Sequence, residues 1–253
     1  MSIQWKIETF AVLPSTQDEA KERALEDAAD EGLVIQALTQ SEGRGRQGNE
    51  WFSPMGNLHM SVLLRPLCTA DLAGQISFVI ALAVSAAMDE FMVEGHKKTL
   101  KWPNDILIDG KKAAGILLET ELSPKGLVGH LVIGVGVNVL SAPEGRVSLK
   151  EVSGQNRLAV HPFRDRVLHY LDTYYSAWKA EGFAPIRKAW LAQAHAMGHK
   201  LTARLPNREE KGIFRDIDEA GGLILEISEN KQIVIRAGEI YFDEPENPAK
   251  TVH

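Results

Sequence analysis

The chain has one cysteine, Cys68, among its 253 residues. No intrachain disulfide framework and no cysteine-based metal site can be built from it, and a cytoplasmic location is the expectation. Positive charge is in the minority: 28 Lys and Arg stand against 34 Asp and Glu, a formal net charge of −6. Nucleic-acid faces run on clustered cations, so no nucleic-acid partner is expected. Aromatics are sparse at 7%, and they do not interleave with basic residues as a platform for single strands requires. The N-terminus, MSIQWKIETFAVLPST, lacks the apolar core of a signal peptide. The most apolar run, ISFVIALAVSAAMDEFMV, meets its charges too early for a bilayer span, reads as a buried helix, and leaves no membrane partner to expect. Internal repeats and low-complexity tracts are missing as well.

What remains is an ordinary globular composition, 44% hydrophobic and 25% charged, with length for one large domain plus an appendage. In PSTQDEAKERALEDAADEG, Thr16 and Glu19 fit a capping box and Gly32 ends the run. Strands are expected over 33–40 and 56–66, and a long apolar helix over 71–94. KTLKWPND rises as a strand and breaks at Pro103. A hairpin follows with Asp109-Gly110 as its turn, then the glycine-punctuated strand GLVGHLVIGVGVNVL. From 161 the period is helical. Near 199 it changes again, to short strands separated by turn residues, and 244–253 reads as a frayed tail. The expectation is an α+β protein with domains at 1–197 and 198–253, the second a small β unit docked on the first.

Four stretches can carry chemistry. SEGRGRQGNEW, 41–51, combines glycines, which let a backbone approach a ligand and present N–H groups to an anion, with Arg44 and Arg46, whose forked donors suit phosphate or carboxylate. Trp51 and Phe52 close the loop. The alternative is a solvated basic loop. Gly43, Gly45 and Gly48 precede no helix, which excludes a Rossmann turn and a P-loop. KWPNDILIDGKKAAGILLE, 101–119, places Lys101, Asn104 and Asp105 around a proline bend, with Lys111, Lys112 and Gly115 beyond a hairpin turn. Lysines there commonly protect an edge, but a bulky Trp-Pro inside an ordinary surface turn has no purpose. In GVGVNV, 134–139, Gly134, Gly136 and Asn138 share one side of a regular strand; the flat strip suits a planar ligand or a close-crossing helix. Ser15, Thr16 and Gln17 either cap a helix or bind a small polar ligand at its N-terminus.

Together these stretches, in this order and with a C-terminal AGEIYF, resemble biotin protein ligases, and the resemblance runs from about residue 9 to 242. It implies a mixed-sheet catalytic domain of the biotin/lipoate ligase type followed by a small SH3-like β-barrel. The implied chemistry joins biotin to ATP as biotinyl-5′-AMP, with Mg²⁺, and then passes biotin to a lysine of a biotin carrier protein such as that of acetyl-CoA carboxylase. By the same resemblance, Ser15, Thr16, Gln17 and Gln40 hold the ureido head of biotin. Gly43, Arg44, Gly45 and Arg46 form a loop over the adenylate. Lys112 contacts the carboxylate and phosphoryl group, Gly115 and Gly134 line the pocket, and Trp51, Lys101, Asn104 and Asn138 serve the adenylate side. Asp105 is a candidate for Mg²⁺ or for deprotonating the acceptor lysine, so Lys112, Arg46 and Asp105 are the catalytic candidates. The sequence departs from the family at Asn49, where another arginine is usual, and at His59, where tyrosine is common. The chain begins almost directly at the catalytic domain, so no operator-binding module is expected. Family members can pair through sheet edges into homodimers. A lipoate or octanoate ligase and a non-catalytic biotin sensor are the alternatives.

Overall fold

Residues 2–25, 29–122, 126–155, 158–205 and 207–242 are described by the structure, a computed structural model. Strand β1 (Lys6–Leu13) leads into α1 (Thr16–Leu25), and β2 (Leu33–Gln40) returns parallel to β1. Ser15, not Thr16, occupies the cap of α1: its Oγ accepts the Gln17 N–H at 3.2 Å. The capping box expected of Thr16 and Glu19 does not form. Thr16 Oγ1 turns inward to Gln40 and Ser61, while Glu19 pairs with Arg23 at 2.9 Å.

After the glycine–arginine loop, β3 (Leu58–Leu64) runs antiparallel to β2. The expected helix over 71–94 is two helices, α2 (Ala70–Gly74) and α3 (Ile76–Asp89). They meet at Gln75, whose side chain accepts from Trp178 Nε1 at 2.7 Å and donates to Glu219 O at 2.8 Å. By length and composition the stretch Ala70–Asp89 would suffice to cross a bilayer, contrary to the expectation from its charges, but most of it is buried here as the core helix pair.

Strands β4 (Lys98–Lys101), β5 (Asp105–Ile108) and β6 (Lys111–Leu122) form an antiparallel meander. The β5–β6 turn is the expected one. Asp109 and Gly110 both have left-handed φ, 51° and 78°, as a two-residue hairpin of matching twist needs. Strand β7 (Val128–Val137) inserts between β6 and β3, giving a seven-stranded mixed sheet of order β1-β2-β3-β7-β6-β5-β4. Helices α4 (Leu149–Val152), α5 (Val160–Glu181) and α6 (Phe183–Leu191) follow.

Side chains alternate between the two faces of a sheet, and here the faces serve different helices. Val34, Val62, Leu64 and Ile133 pack in the main core with α3, α5 and α6, whereas Leu33, Ile35, Leu63 and Val132 pack with Ala20 and Ala24 of α1. Because α1 covers only part of its face, the rest of that face is open for a site.

The last strands, β8 (Lys200–Leu205), β9 (Arg208–Ile217), β10 (Leu223–Ser228), β11 (Lys231–Ile235) and β12 (Glu239–Phe242), form a five-stranded antiparallel sheet of order β11-β10-β9-β8-β12. No pairing closes it into a barrel among the described residues. It docks on the first sheet's helices. Phe214, Leu223 and Leu225 belong to the main core cluster, Trp102 Nε1 donates to Gly221 O at 3.0 Å, and Arg187 pairs with Asp216 at 2.5 Å. The C-terminal stretch 244–253 lies outside the described residues.

Candidate active site

Three buried side-chain polar atoms have no hydrogen-bond partner among the described residues: Trp51 Nε1, His59 Nδ1 and Asp105 Oδ1. Such atoms are rare in folded proteins and ask for an explanation. All three residues line one cavity of about 390 Å³ on the α1 side of the large sheet.

Register alone lays its floor. His59, Gly136, Gly115, Asp105 and Lys101 are successive cross-strand partners from β3 to β4, so they share one face. Ser61, Gly134 and Leu117 form the neighbouring row. The glycines leave that floor flat, as the sequence suggested, but protein side chains lie on part of it. A Cβ at Gly136 would stand 2.4 Å from Trp51 Cε2, and one at Gly134 would stand 2.8 Å from Gln17 Oε1. Gly136→Ala is therefore expected to displace the indole, measured as a shift in tryptophan fluorescence, while far-UV circular dichroism stays unchanged.

Neutral hydrogen-bonding groups occupy the β2–β3 end. Gln40 Oε1 accepts from Thr16 N at 2.8 Å and from Thr16 Oγ1 at 3.1 Å. Thr16 Oγ1 and Ser61 Oγ lie 2.9 Å apart, and Ser61 Oγ donates to Gln17 Oε1 at 2.8 Å. Gln17 Nε2 donates to Val132 O at 3.1 Å, and Gln40 Nε2 to Ser53 Oγ at 2.8 Å. Each amide is fixed at both ends, so this end of the cavity is preorganised.

Charge gathers at the β6–β4 end. Four cations gather there (Arg46, Lys101, Lys112, Arg146), with Asp105 and Glu239 as carboxylates; a fifth, Arg44, lines the α1 side, where it donates to Ser15 Oγ at 3.3 Å. Lys112 reaches this face because of a β-bulge. Ile106 pairs with Ala114 but Leu107 pairs with Lys112, so Ala113 is an extra residue. The bulge reverses the alternation, turning Lys112 toward the cavity and leaving Lys111 exposed. Lys112 Nζ stands 2.6 Å from Asp105 Oδ1 and 5.4 Å from the centre of the Trp51 ring. The lysine–aspartate contact is an ion pair without the alignment of a hydrogen bond.

Arg44 is bonded within the protein, to Asp18 at 2.6 and 2.7 Å and to Glu119 at 3.1 Å. The hydrogen bond from Arg44 holds the Asp18 carboxyl below its usual range, and the same bond raises the guanidinium. Arg46 has no ion pair among the described residues; it donates to Asn104 Oδ1 at 3.4 Å. Burial pushes its pKa down, partly offset by Asp105 and Glu239. Burial likewise lowers Lys101, which lies 5.9 Å from the Tyr241 ring centre. Cations desolvated without a bound carboxylate are poised for an anion. His59 Nε2 donates to Pro54 O at 3.1 Å, and burial lowers the pKa of the ring.

Of the residues that the resemblance assigned to the site, Ser15, Thr16, Gln17, Gln40, Arg44, Gly45, Arg46, Trp51, Lys101, Asn104, Asp105, Lys112, Gly115 and Gly134 all line this cavity. Two do not. Gly43 is buried behind the wall: a Cβ there would stand 2.4 Å from Ser53 Oγ and 2.6 Å from Trp51 O, so main-chain packing, not a ligand, requires the glycine. Gly43→Ala is expected to cost about 1–3 kcal/mol by overpacking, checked by urea denaturation. Asn138 is buried beside the cavity and is committed elsewhere, its Nδ2 facing Lys112 O at 3.4 Å and Val147 O at 3.3 Å. Sequence reasoning also missed Ser61, Arg146, Glu239 and Tyr241, all of which line the cavity. Ser61 was legible from its parity with Gly134; Arg146 stands in no motif.

Residues 9–138 match the profile of the biotin/lipoate A/B protein ligase family, and residues 200–243 match that of the biotin protein ligase C-terminal domain. A biotin–[acetyl-CoA-carboxylase] ligase of Paracoccus denitrificans is 40% identical over 218 residues, 82% of this chain and 89% of that one. The chain belongs to the biotin/lipoate A/B protein ligase family. A second member named as a biotin–[acetyl-CoA-carboxylase] ligase, from Mycobacterium tuberculosis, is 30% identical over 93% of this chain and 89% of its own. Among solved structures, the Aquifex aeolicus biotin protein ligase in complex with biotin and ATP superposes with a TM-score of 0.79 at 27% identity, covering 94% of this chain and 98% of that one.

Proposed function

We propose that this cavity is the active site of an ATP-dependent biotin protein ligase, which forms biotinyl-5′-AMP and transfers biotin to a lysine of a biotin carrier protein. The observation that carries the reading is the division of the cavity. A neutral, preorganised polar end at Thr16, Gln17, Gln40 and Ser61 lies two strand spacings, roughly 10 Å, from the cationic end at Lys112. That suits an elongated acid with a hydrogen-bonding head and an anionic tail. The dithiolane of lipoate would set carbon and sulfur against the polar end, and sites built for polar groups reject ligands without them. The charged end argues against a mere biotin sensor, since a carboxylate alone does not call for four cations.

In the first step a biotin carboxylate oxygen attacks the α-phosphorus of ATP, the bond to the β-phosphate oxygen breaks, and pyrophosphate leaves. Two anions must meet, so fixed positive charge lowers the barrier most where charge is densest, at the transferring phosphoryl group. Lys112 stands where it can contact carboxylate and phosphate together, with Lys101 and Arg46 flanking it. In the second step the neutral amine of the carrier lysine attacks the acyl carbon and AMP leaves. The loop 41–51 keeps water off the mixed anhydride meanwhile. Arg44 serves that loop by tying it to α1 through Asp18.

Mg²⁺ accompanies ATP in this reading. No cluster of three His, Cys, Asp or Glu side chains that could hold a metal occurs among the described residues, but Mg²⁺ is commonly held by substrate phosphates and one or two carboxylates. Asp105 fits that donor set. Asp105→Asn is expected to raise the Mg²⁺ concentration for half-maximal pyrophosphate release several-fold; an unchanged Mg²⁺ titration and transfer rate would remove Asp105 from both of its suggested roles. Substrate choice is tested by pyrophosphate release with biotin, lipoate or octanoate as the acid. Release with biotin alone is the expected result, and preference for lipoate would overturn the assignment.

A further inference from the structure

The five cations of the cavity are not equivalent. Arg44 is bonded to Asp18 and Glu119, and Lys112 lies against Asp105. Arg46 and Lys101 are desolvated and feel Asp105 and Glu239 nearby. Arg146 differs from these four in its origin, the connection between β7 and α4; like Arg46 and Lys101 it has no carboxylate within ion-pair distance among the described residues, although Glu144 is two positions away. Its guanidinium carbon stands 5.5 Å from the centre of the Trp51 ring. That is the indole lying on Gly136 and Gly115 and also facing Lys112.

The backbone holds Arg146 there deliberately. Pro143 to Arg146 is a turn closed by Arg146 N–H donating to Pro143 O at 3.1 Å. Gly145, with φ 76°, takes the left-handed third position that such a turn reserves for glycine. Directly after it, Val147 N–H donates to Lys112 O at 3.2 Å, and Arg146 forms an isolated parallel bridge with Lys112. The Asn138 amide spans Lys112 O and Val147 O from below. Ser148 then caps α4 through a box with Glu151. Thus Lys112 and Arg146 are tied side by side through main chain, and both side chains reach the same indole.

We propose that Arg146 is a further nucleotide-binding residue of this site, contacting the phosphate of ATP and of the adenylate while packed on Trp51, and that a cation at the neighbouring lining position Asn49 could take its place. The proposal rests on the ATP-dependent reading above. Asn49 lines the same cavity, so an arginine entering from the 143–147 turn can serve the same bound anion from another wall. Stacking on an aromatic face pre-orients the planar guanidinium, so less side-chain entropy is lost when phosphate binds. An arginine whose only task was to cover Trp51 would not need its charge.

The test compares Arg146→Met, which keeps an apolar stem over the indole, with Arg146→Lys and with the double variant Asn49→Arg/Arg146→Met. Calorimetry reads ATP and biotin binding separately, and pyrophosphate release gives KM for ATP. Arg146→Met is expected to weaken ATP about tenfold, the loss of one charge-assisted contact, with biotin affinity unchanged. Arg146→Lys should fall between, and Asn49→Arg should restore much of the loss. ATP affinity unchanged in Arg146→Met would overturn the proposal, as would a parallel loss of biotin and ATP affinity with no rescue by Asn49→Arg, which marks a purely structural prop for Trp51. If the wild type binds ATP but releases no pyrophosphate with biotin, the ligase reading fails, and the ATP titrations still decide the role of Arg146. If it binds no ATP, both fall.

Discussion

Lys112→Ala is expected to fold normally and to lose biotin-dependent pyrophosphate release by a factor of about 10² to 10³, the range found when one preorganised transition-state contact is removed. The side chain is only half-buried, and its loss opens no core cavity. What disappears is a point charge that the bulge at Ala113 delivers to the face bearing Asp105 and Gly115. Asp105 is then left as an uncompensated carboxylate beside the incoming phosphates, which adds repulsion to the lost attraction. Lys112→Arg should rescue poorly, because a longer planar group cannot take the position of a compact ammonium between the indole and Asp105. Stopped-flow pyrophosphate release measures the step directly. Normal release by Lys112→Ala would remove the lysine from adenylation.

Arg46→Gly is expected to act on the intermediate instead. Arg46 lies on the loop, partly buried, bonded weakly to Asn104 and paired with no carboxylate among the described residues. Its charge is therefore available to the phosphate of biotinyl-5′-AMP after pyrophosphate has gone. Without it, the first step slows modestly while the adenylate dissociates before a carrier arrives. Free biotinyl-5′-AMP in solution should rise about tenfold, the factor that corresponds to about 1.4 kcal/mol of lost retention. Bystander proteins should then acquire biotin on exposed lysines. Chromatography of the filtrate measures the leak, and a variant that releases no more adenylate than the wild type would show that Arg46 does not retain it. Arg44→Gly should behave differently, destabilising the loop through Asp18 and Glu119 and weakening both ligands together.

Much of this was legible before any coordinates. The β5–β6 turn was announced by Asp109-Gly110, β2 by the mostly apolar run LVIQAL, and the flat floor by Gly134 and Gly136. These are local signals, in which backbone conformation or side-chain parity follows from a few residues. The α2–α3 break was not legible, since it depends on Gln75 reaching Trp178 and Glu219, both more than a hundred residues away. Gly43 resembles its ligand-facing neighbours in sequence but answers to the return of the chain at Trp51 and Ser53. The bulge that selects Lys112 over Lys111 carries no sequence mark, because either lysine suits a hairpin exit. Arg146, Glu239 and Tyr241 enter the cavity from a connection and from the second sheet, and only tertiary packing brings them there. Asn138, expected on the adenylate side, lies beside the cavity with its amide braced between Lys112 O and Val147 O, a placement that sequence parity does not reveal.

Mass spectrometry of a biotin carrier domain incubated with the protein, ATP, Mg²⁺ and biotin tests the ligase reaction directly. The expected result is the mass gain of one biotinyl group on the single acceptor lysine, dependent on ATP and slowed by about 10² to 10³ in Lys112→Ala. A carrier that stays unmodified while the protein holds no biotinyl-5′-AMP would contradict it.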